Sequence, residues 1–411
     1  MPARRIAVLG AGIIGVTTAY ALAARGADVT LIDAALVPAT GASGANGAQL
    51  SYSYVAPLAD PAVLGDLPHY LFDSTSPLRF RPRLDPAQWD FCVRFLLACR
   101  RDVADETTAV LLRLAARSRD SLHALMAQTG IAFDHNRAGK LVVFGTAGSL
   151  ANARKQVELQ AGLGSVQEVI DADRAIAIEP ALATIRARIA GAVLTPSEEA
   201  GDCAEFCRAL CNWLQPQVRM RFGVRVQGIE TRGDTVVAVK TDQGSIECDD
   251  CVVALGSDSA ALLAMHGIRV PVYPLKGYSI TARIADLARA PAVSVTDLAN
   301  KTVYARLGDR LRVAGFVEIV GHSREIDESR IGQLVDATEA IFPGAIDRAS
   351  IEPWAGLRPA TPTSRPIVGP TRLRGLWTNI GHGALGWTLS CGAADELVDH
   401  MYGQSRASPL N

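Results

Sequence analysis

The sequence predicts an α/β fold in two parts: a parallel sheet wound with helices, and a second domain of sheet plus helices. Three observations predict it. Four apolar residues, Ile6 to Leu9, run into Gly10-Ala-Gly12-Ile-Ile14-Gly15 and then into a helix-spaced apolar series, Val16, Ala19, Leu22 and Ala23. After Gly26 the chain returns to an apolar strand, Asp28 to Asp33, that ends on an acid. From Pro271 the pattern changes to strands joined by turns, and 411 residues suffice for two cores.

Strand, glycine turn, helix and strand together read as the Rossmann-like dinucleotide-binding unit. Gly10 permits the turn, Gly12 lets the backbone approach a pyrophosphate, and Gly15 lets helix and strand pack closely. The helix N-terminus then points its free N–H groups at the phosphates. Asp33 stands where a carboxylate accepts the hydroxyls of an adenosine ribose, which argues for NAD or FAD over NADP. Ile6 to Ala24 also lacks charge and follows Arg4 and Arg5, as in a signal peptide or membrane helix. Its glycines and the immediate return to a strand argue against that.

A net charge of −1 with scattered basic residues gives no reason to expect nucleic acid. Cys203, Cys207 and Cys211 share one helix face as small buried hydrophobes, and Cys248-Asp-Asp-Cys251 leads into a strand without a partner pair. The eight cysteines read as intracellular thiols, so the expected location is the cytoplasm, with peripheral contact at the inner face of the cell membrane left open. Seven histidines without metal-ligand clustering predict no metal site.

Thr40 to Ser51 is a run of small and amide residues that suits close approach to a flat or phosphate-bearing ligand. Residues 85–128 have helical periodicity, with Trp89, Val93, Leu96 and Leu97 and then Val110, Leu111, Leu114, Leu122 and Leu125 as apolar positions. They read as two or three helices outside the nucleotide core. Gly139 to Phe144 and Gly191 to Leu194 read as strands of a separate sheet, with Arg137 and Lys140 in solvent. Val218 to Ile229, Val236 to Val239 and Asp250 to Gly256 form a second block of nucleotide-fold strands. The strands after Pro271 read as the sheet of a substrate domain. Near the end, Gly381-His-Gly383-Ala384-Leu385-Gly386 sets a glycine loop before a final helix, whose positive end could stabilise an electron-rich ring.

With those segments in view, the sequence resembles the D-amino acid oxidase superfamily of FAD enzymes nearly end to end, and within it the bacterial D-amino acid dehydrogenases. The specific pieces are Tyr273-Pro-Leu-Lys-Gly-Tyr-Ser279, Arg310-Leu-Arg-Val-Ala-Gly315, Gly356-Leu-Arg358-Pro, Thr361-Pro362 with Pro366-Ile-Val-Gly369, and Gly381-His-Gly-Ala-Leu-Gly-Trp-Thr388. Two departures stand out. Ser43-Gly-Ala-Asn46-Gly-Ala48 exchanges the last two residues of the family pattern, and Thr363-Ser364-Arg365 replaces its usual Asp-Gly.

The resemblance implies a discontinuous FAD-binding domain (1–57, 196–262 and 348–411) and a substrate domain (58–195 and 263–347). It implies FAD with Gly10, Gly12, Ile14, Gly15 and Asp33 on the ADP half. Ser43, Asn46, Gln49 and Leu50 would lie along the pyrophosphate and flavin, Val226 near the adenine, and Ala254 and Gly256 beside the cofactor. Gly383, Ala384, Leu385, Gly386 and Thr388 would sit at the flavin pyrimidine. Arg358 would grip a substrate carboxylate, because its planar fork offers two parallel charge-assisted hydrogen bonds. Tyr52, Tyr54, Tyr278, Tyr304 and His382 are candidate pocket walls. The implied reaction is oxidative deamination of a D-amino acid by hydride transfer to the flavin, with a quinone or other carrier as acceptor. Glycine or sarcosine oxidation, and D-proline or hydroxyproline dehydrogenation, are the alternatives within the fold.

Overall fold

The computed structural model describes residues 3–55, 57–61, 63–65 and 76–403. Among them the first strand, Arg5–Leu9, lies inside a six-stranded sheet ordered Ile367–Pro370, Leu376–Ile380, Asp250–Val253, Arg5–Leu9, Asp28–Asp33, Val218–Phe222. All neighbours are parallel except the outermost pair at the Ile367 edge. A parallel sheet is covered on both faces, so its strands are apolar at consecutive positions. Ile6 and Val8 pack under the helices Ile13–Ala24, Cys203–Leu214 and Gly386–Tyr402. Ala7 and Leu9 face the antiparallel ribbon formed by Val226–Arg232, Thr235–Thr241 and Gly244–Glu247. Gly223, at φ +70°, breaks the expected Val218 to Ile229 strand into two that join different sheets.

Cys203, Cys207 and Cys211 are buried along one helix as the spacing predicts, and all eight cysteines are free thiols. Asp202 starts that helix by accepting from the N–H groups of Ala204 and Glu205.

Two elements depart from the expected layout. The helix Arg101–Thr129 buries Leu111, Leu114, Leu122 and Leu125 in the same cluster as Ile6 and Val8, so it belongs to the nucleotide core. Gly392 of the last helix makes this possible, because a Cβ there would stand 2.6 Å from the Leu114 carbonyl oxygen. The preceding helix, Pro86–Ala98, is turned the other way. It buries Gln88, Phe91 and Ala98 and leaves Trp89, Val93, Leu96 and Leu97 facing solvent, because Gln88 bonds the carbonyls of Arg81 and Ile319. No helix of the described residues is long and apolar enough to cross a membrane.

The second sheet runs Glu352–Ala360, Tyr273–Arg283, Arg310–Ile319, Thr302–Leu307, Ser294–Asp297, Lys140–Phe144, Gly191–Thr195, Glu168–Asp171, with Leu78–Phe80 paired to the end of Arg310–Ile319. Glu352–Ala360 lies beyond the expected boundary at 348 yet is an edge of this sheet, zipped to Tyr273–Arg283 from Tyr273↔Ala360 to Thr281↔Glu352. Alternation sorts its side chains. One face, with Tyr278, Ile280, Tyr304 and Val313, packs under the helix Glu328–Ile341. The other, with Arg358, Trp354, Ser279, Ala314 and Val303, meets the segment Gly44–Ala48. There the Ser279 hydroxyl donates to the Ala45 carbonyl at 2.6 Å, and a Cβ on Gly47 would touch Val303 at 3.1 Å.

Candidate active site

The glycine turn has the form a dinucleotide needs. Gly10 has φ +99°, and a Cβ on it would stand 2.6 Å from the Ala254 carbonyl oxygen; one on Gly15 would overlap the Gly10 carbonyl. Gly12 is different, since a Cβ there would meet only the Ser43 hydroxyl, at 3.3 Å. Its space is the cradle that a phosphate would fill. The Ser43 hydroxyl accepts from the Ile13 N–H at 3.0 Å, which sets Ser43 at the helix N-terminus. Asp33 accepts from the N–H groups of Ala11 (2.6 Å) and Ala35 (2.8 Å), and both oxygens keep a lone pair for ribose hydroxyls. Val224 donates to the Asp33 carbonyl, so Val226 begins its strand beside this end of the cradle. Ala254 lines the turn, and Gly256, at φ +59°, has open space where a side chain would be. These residues fit the ADP half of FAD.

The segment after Ser43 is anchored from above. Arg312, almost fully buried, donates to the Thr281 hydroxyl (2.6 Å) and the Asn46 carbonyl (2.9 Å) and reaches Asp202 at 3.4 Å. Asn46 turns its side-chain oxygen onto the Ala48 N–H, at 3.0 Å. The Gln49 amide bonds the carbonyls of Val295 and Tyr304, and Leu50 is buried in the core. The two N–H groups of the Gln49 amide are therefore spent within the protein. The Ser51 N–H donates to Thr388 Oγ1 at 3.0 Å, which ties this segment to the first turn of the last helix.

The glycine loop 381–386 packs on the end of the strand that carries Arg358, with His382 bridged to Ala360. Gly383, Ala384 and Leu385 form a short 3-10 turn running into Gly386. His382 is buried and neither ring nitrogen has a partner; burial holds the imidazole neutral, with its pKa lowered to about 3. Buried polar groups without partners are uncommon, and a bound ligand is one of the things that explains them.

Arg358 stands on the strand that meets this loop. Its guanidinium lies across the neighbouring strand over Gly277, where any Cβ would sit inside it. It donates to the Phe316 carbonyl at 2.8 Å and has no carboxylate partner among the described residues. Burial alone lowers its pKa to about 10, so it is a cation at neutral pH. Trp354, two pairs along the same face, lies over Gly356 and approaches Gly44.

The tyrosine expectations are corrected. Tyr278 and Tyr304 alternate onto the far face of the sheet: the Tyr278 hydroxyl donates to Glu318 at 3.0 Å, and Tyr304 packs edge-on to Phe342. Tyr52 is buried in the nucleotide core with its hydroxyl 3.4 Å from Glu199, and Tyr54 places its ring under Lys140. Tyr278 and Tyr304 therefore stand on the face of the sheet opposite Arg358.

Lys140 is also not in solvent. It is buried, its ammonium 2.9 Å from the Ser51 hydroxyl and 4.6 Å from the Tyr54 ring centroid, beside the buried Glu198. Burial lowers the lysine to about 8 and raises the Glu198 carboxyl, whose second oxygen has no partner. At this position the unfolded chain, with its lysine at 10.5, binds more protons than the native state between about pH 8 and 10.5, so the lysine's own contribution to stability rises with pH across that window. Chemical denaturation at both ends should show the wild type gaining stability relative to a Lys140→Met/Glu198→Gln double variant as pH rises, by up to about 1.4 kcal/mol per pH unit. Equal pH dependence would contradict the buried lysine.

The sequence matches the FAD dependent oxidoreductase family over residues 5–400. It is 48% identical over 406 residues to D-amino acid dehydrogenase 2 of Ralstonia nicotianae, covering 96% of each chain. It is 44% identical to D-amino acid dehydrogenase 2 of Pseudomonas aeruginosa, covering 97% of this chain and 95% of that one. In three dimensions it is similar to glycine oxidase from Geobacillus kaustophilus (TM-score 0.78, 20% identity, 99% of each chain) and to L-proline dehydrogenase from P. horikoshii (TM-score 0.74, 18% identity, 100% of this chain and 96% of that one). At those identities the two structures speak for the fold. The chain belongs to the DAO family of FAD-dependent oxidoreductases, and FAD is its cofactor.

Proposed function

We propose that the protein oxidises D-amino acids to 2-oxo acids and ammonia. The observation that carries this reading is the half-buried Arg358 cation with no carboxylate partner among the described residues, on the strand whose end is bridged to the loop of the unpartnered His382. The relatives named D-amino acid dehydrogenase, at 41–48% identity over nearly the whole chain, support the substrate class. FAD, when bound, would supply the two-electron oxidation as acceptor of the α-hydrogen and its electron pair.

The chain's own groups bind and orient. Arg358 donates its free N–H edge to the substrate carboxylate as two parallel charge-assisted bonds. His382, unprotonated at neutral pH, accepts a hydrogen bond from the amino group and is too weak a base to take its proton, so that proton passes to solvent. The neutral nitrogen lone pair then forms the C=N bond as the α-hydrogen departs, and water hydrolyses the imine. Fixing the acid and amino groups sets where the Cα–H points, and this positioning is the main contribution of the protein. In this reading Gly10, Gly12, Gly15, Asp33, Ser43 and Asn46 hold the cofactor's ADP and pyrophosphate, and Gly383 to Thr388 hold its ring.

A panel of amino acids assayed for dye reduction, peroxide release and 2-oxo acid is the test. D-amino acids should reduce the dye and leave stoichiometric 2-oxo acid, with little peroxide. Turnover confined to glycine, sarcosine or cyclic imino acids would replace this assignment.

We assign the electrons to a quinone or another carrier. A quinone resides in the bilayer, and the solvent-facing Trp89, Val93, Leu96 and Leu97 form an apolar helical stripe suited to a membrane surface. Sedimentation with lipid vesicles should fall in a Trp89→Ser/Leu97→Ser variant; equal sedimentation would remove this stripe as the contact.

A further inference from the structure

Phe316 sits where its strand has one residue too many. Lys276 pairs with Glu318 and Tyr278 with Gly315, so three steps of Arg310–Ile319 face two of Tyr273–Arg283. The strand bulges there, as strands do where a group must be re-aimed. Phe316 takes φ +63°, a left-handed conformation uncommon for a bulky side chain. It also falls in a gap on the other edge, between Ala314, the last partner of Thr302–Leu307, and Val317, the first partner of Leu78–Phe80.

The two halves of this residue point to opposite faces. Its carbonyl takes the Arg358 guanidinium at 2.8 Å, across Gly277. Its ring meets Tyr278 edge-on, with centroids 6.2 Å apart, and lies 4.6 Å from the guanidinium of Arg330. Arg330 is fully buried and bonds one oxygen of Glu318 at 2.9 Å, while the Tyr278 hydroxyl takes the other at 3.0 Å. Strained backbone persists where surrounding packing over-determines it, and this buried cluster does that for Phe316.

We propose that Phe316 is a positioning residue for carboxylate binding: its left-handed backbone turns the carbonyl out of the sheet to hold one edge of the Arg358 guanidinium, leaving the other edge for the acid group. The inference rests on the reading of Arg358 as the carboxylate anchor. A long arginine side chain otherwise loses rotamer freedom when a ligand binds, and an acceptor already in place removes that loss.

The test is benzoate binding to the FAD-loaded protein, read from the perturbed flavin spectrum, in a backbone series at this position. Phe316→Gly, which adopts positive φ freely, should bind benzoate within about threefold of wild type. Phe316→Val, which does not, should bind on the order of thirtyfold more weakly and raise KM with kcat and flavin content unchanged. Wild-type affinity in Phe316→Val, or equal loss in both variants, would overturn the proposal. If Phe316→Val gives no folded protein, Phe316→Ala against Phe316→Gly decides: alanine must bind at least about threefold more weakly, and equality overturns it. Arg358→Leu separates the two claims. Loss of benzoate there with a flat Phe316 series sinks only the role of Phe316; unchanged benzoate affinity in Arg358→Leu sinks the anchor and the proposal with it.

Discussion

Replacing Arg358 with Leu will lower kcat/KM for amino acids by about 30- to 1,000-fold, which is about 2–4 kcal/mol of lost transition-state binding. The substrate carboxylate would enter a buried pocket with no partner. Arg358→Lys should recover only part of this, because an ammonium lacks the planar fork. The same Leu variant should keep its flavin and melt at or above the wild-type temperature. In the native protein Arg358 is a half-buried cation without a counter-ion among the described residues, held by one carbonyl, and removing such a charge relieves desolvation. Activity lost with stability retained is the signature of a residue kept for its ligand. Unchanged steady-state kinetics would exclude Arg358 from the site.

The second large effect is at the glycine turn. Gly15→Val should cost at least about 3 kcal/mol of stability and leave the protein without flavin, because its Cβ would overlap a backbone carbonyl that no rotamer change can move. Gly12→Ala should behave differently. Gly12 has an ordinary φ of −74°, and a methyl there meets only the Ser43 hydroxyl, so the fold should hold while FAD affinity falls. Absorbance ratios near 450 nm against 280 nm, about where flavin and aromatic side chains absorb, report the flavin content, and thermal melts report the stability. A Gly15→Val protein with full flavin would contradict the packing described for the turn.

Much of this was legible because the signals were local. The strand, the glycines and Asp33 lie within one continuous stretch, and each has a single structural task. Arg358 was legible through the family resemblance carried by Gly356-Leu-Arg358-Pro, and the structure leaves its charge without an acidic partner among the described residues. The tyrosines were not, because residue type does not reveal which face of a strand meets the cleft. Tyr278 lies one residue from Gly277, and that single step moves it to the far side of the sheet. Lys140 misled for the same reason: alternation with the buried Leu141 and Val143 turns it inward onto Ser51, where a surface charge was expected. The stripe Trp89, Val93, Leu96 and Leu97 has faultless helical spacing, yet Gln88 anchors the opposite face. Periodicity identifies a helix and its apolar side without saying what that side covers. Arg312 and Phe316 act through a carbonyl contact and a bulge, and neither leaves a mark in composition.

Anaerobic titration of the purified protein's flavin absorbance, near 450 nm as is about usual for flavins, tests the central claim most directly. The protein should be yellow and should bleach with D-alanine but not with L-alanine, and Arg358→Leu should stay yellow at the same concentrations. A colourless protein that does not take up FAD, or a yellow one that no D-amino acid bleaches, would contradict the account.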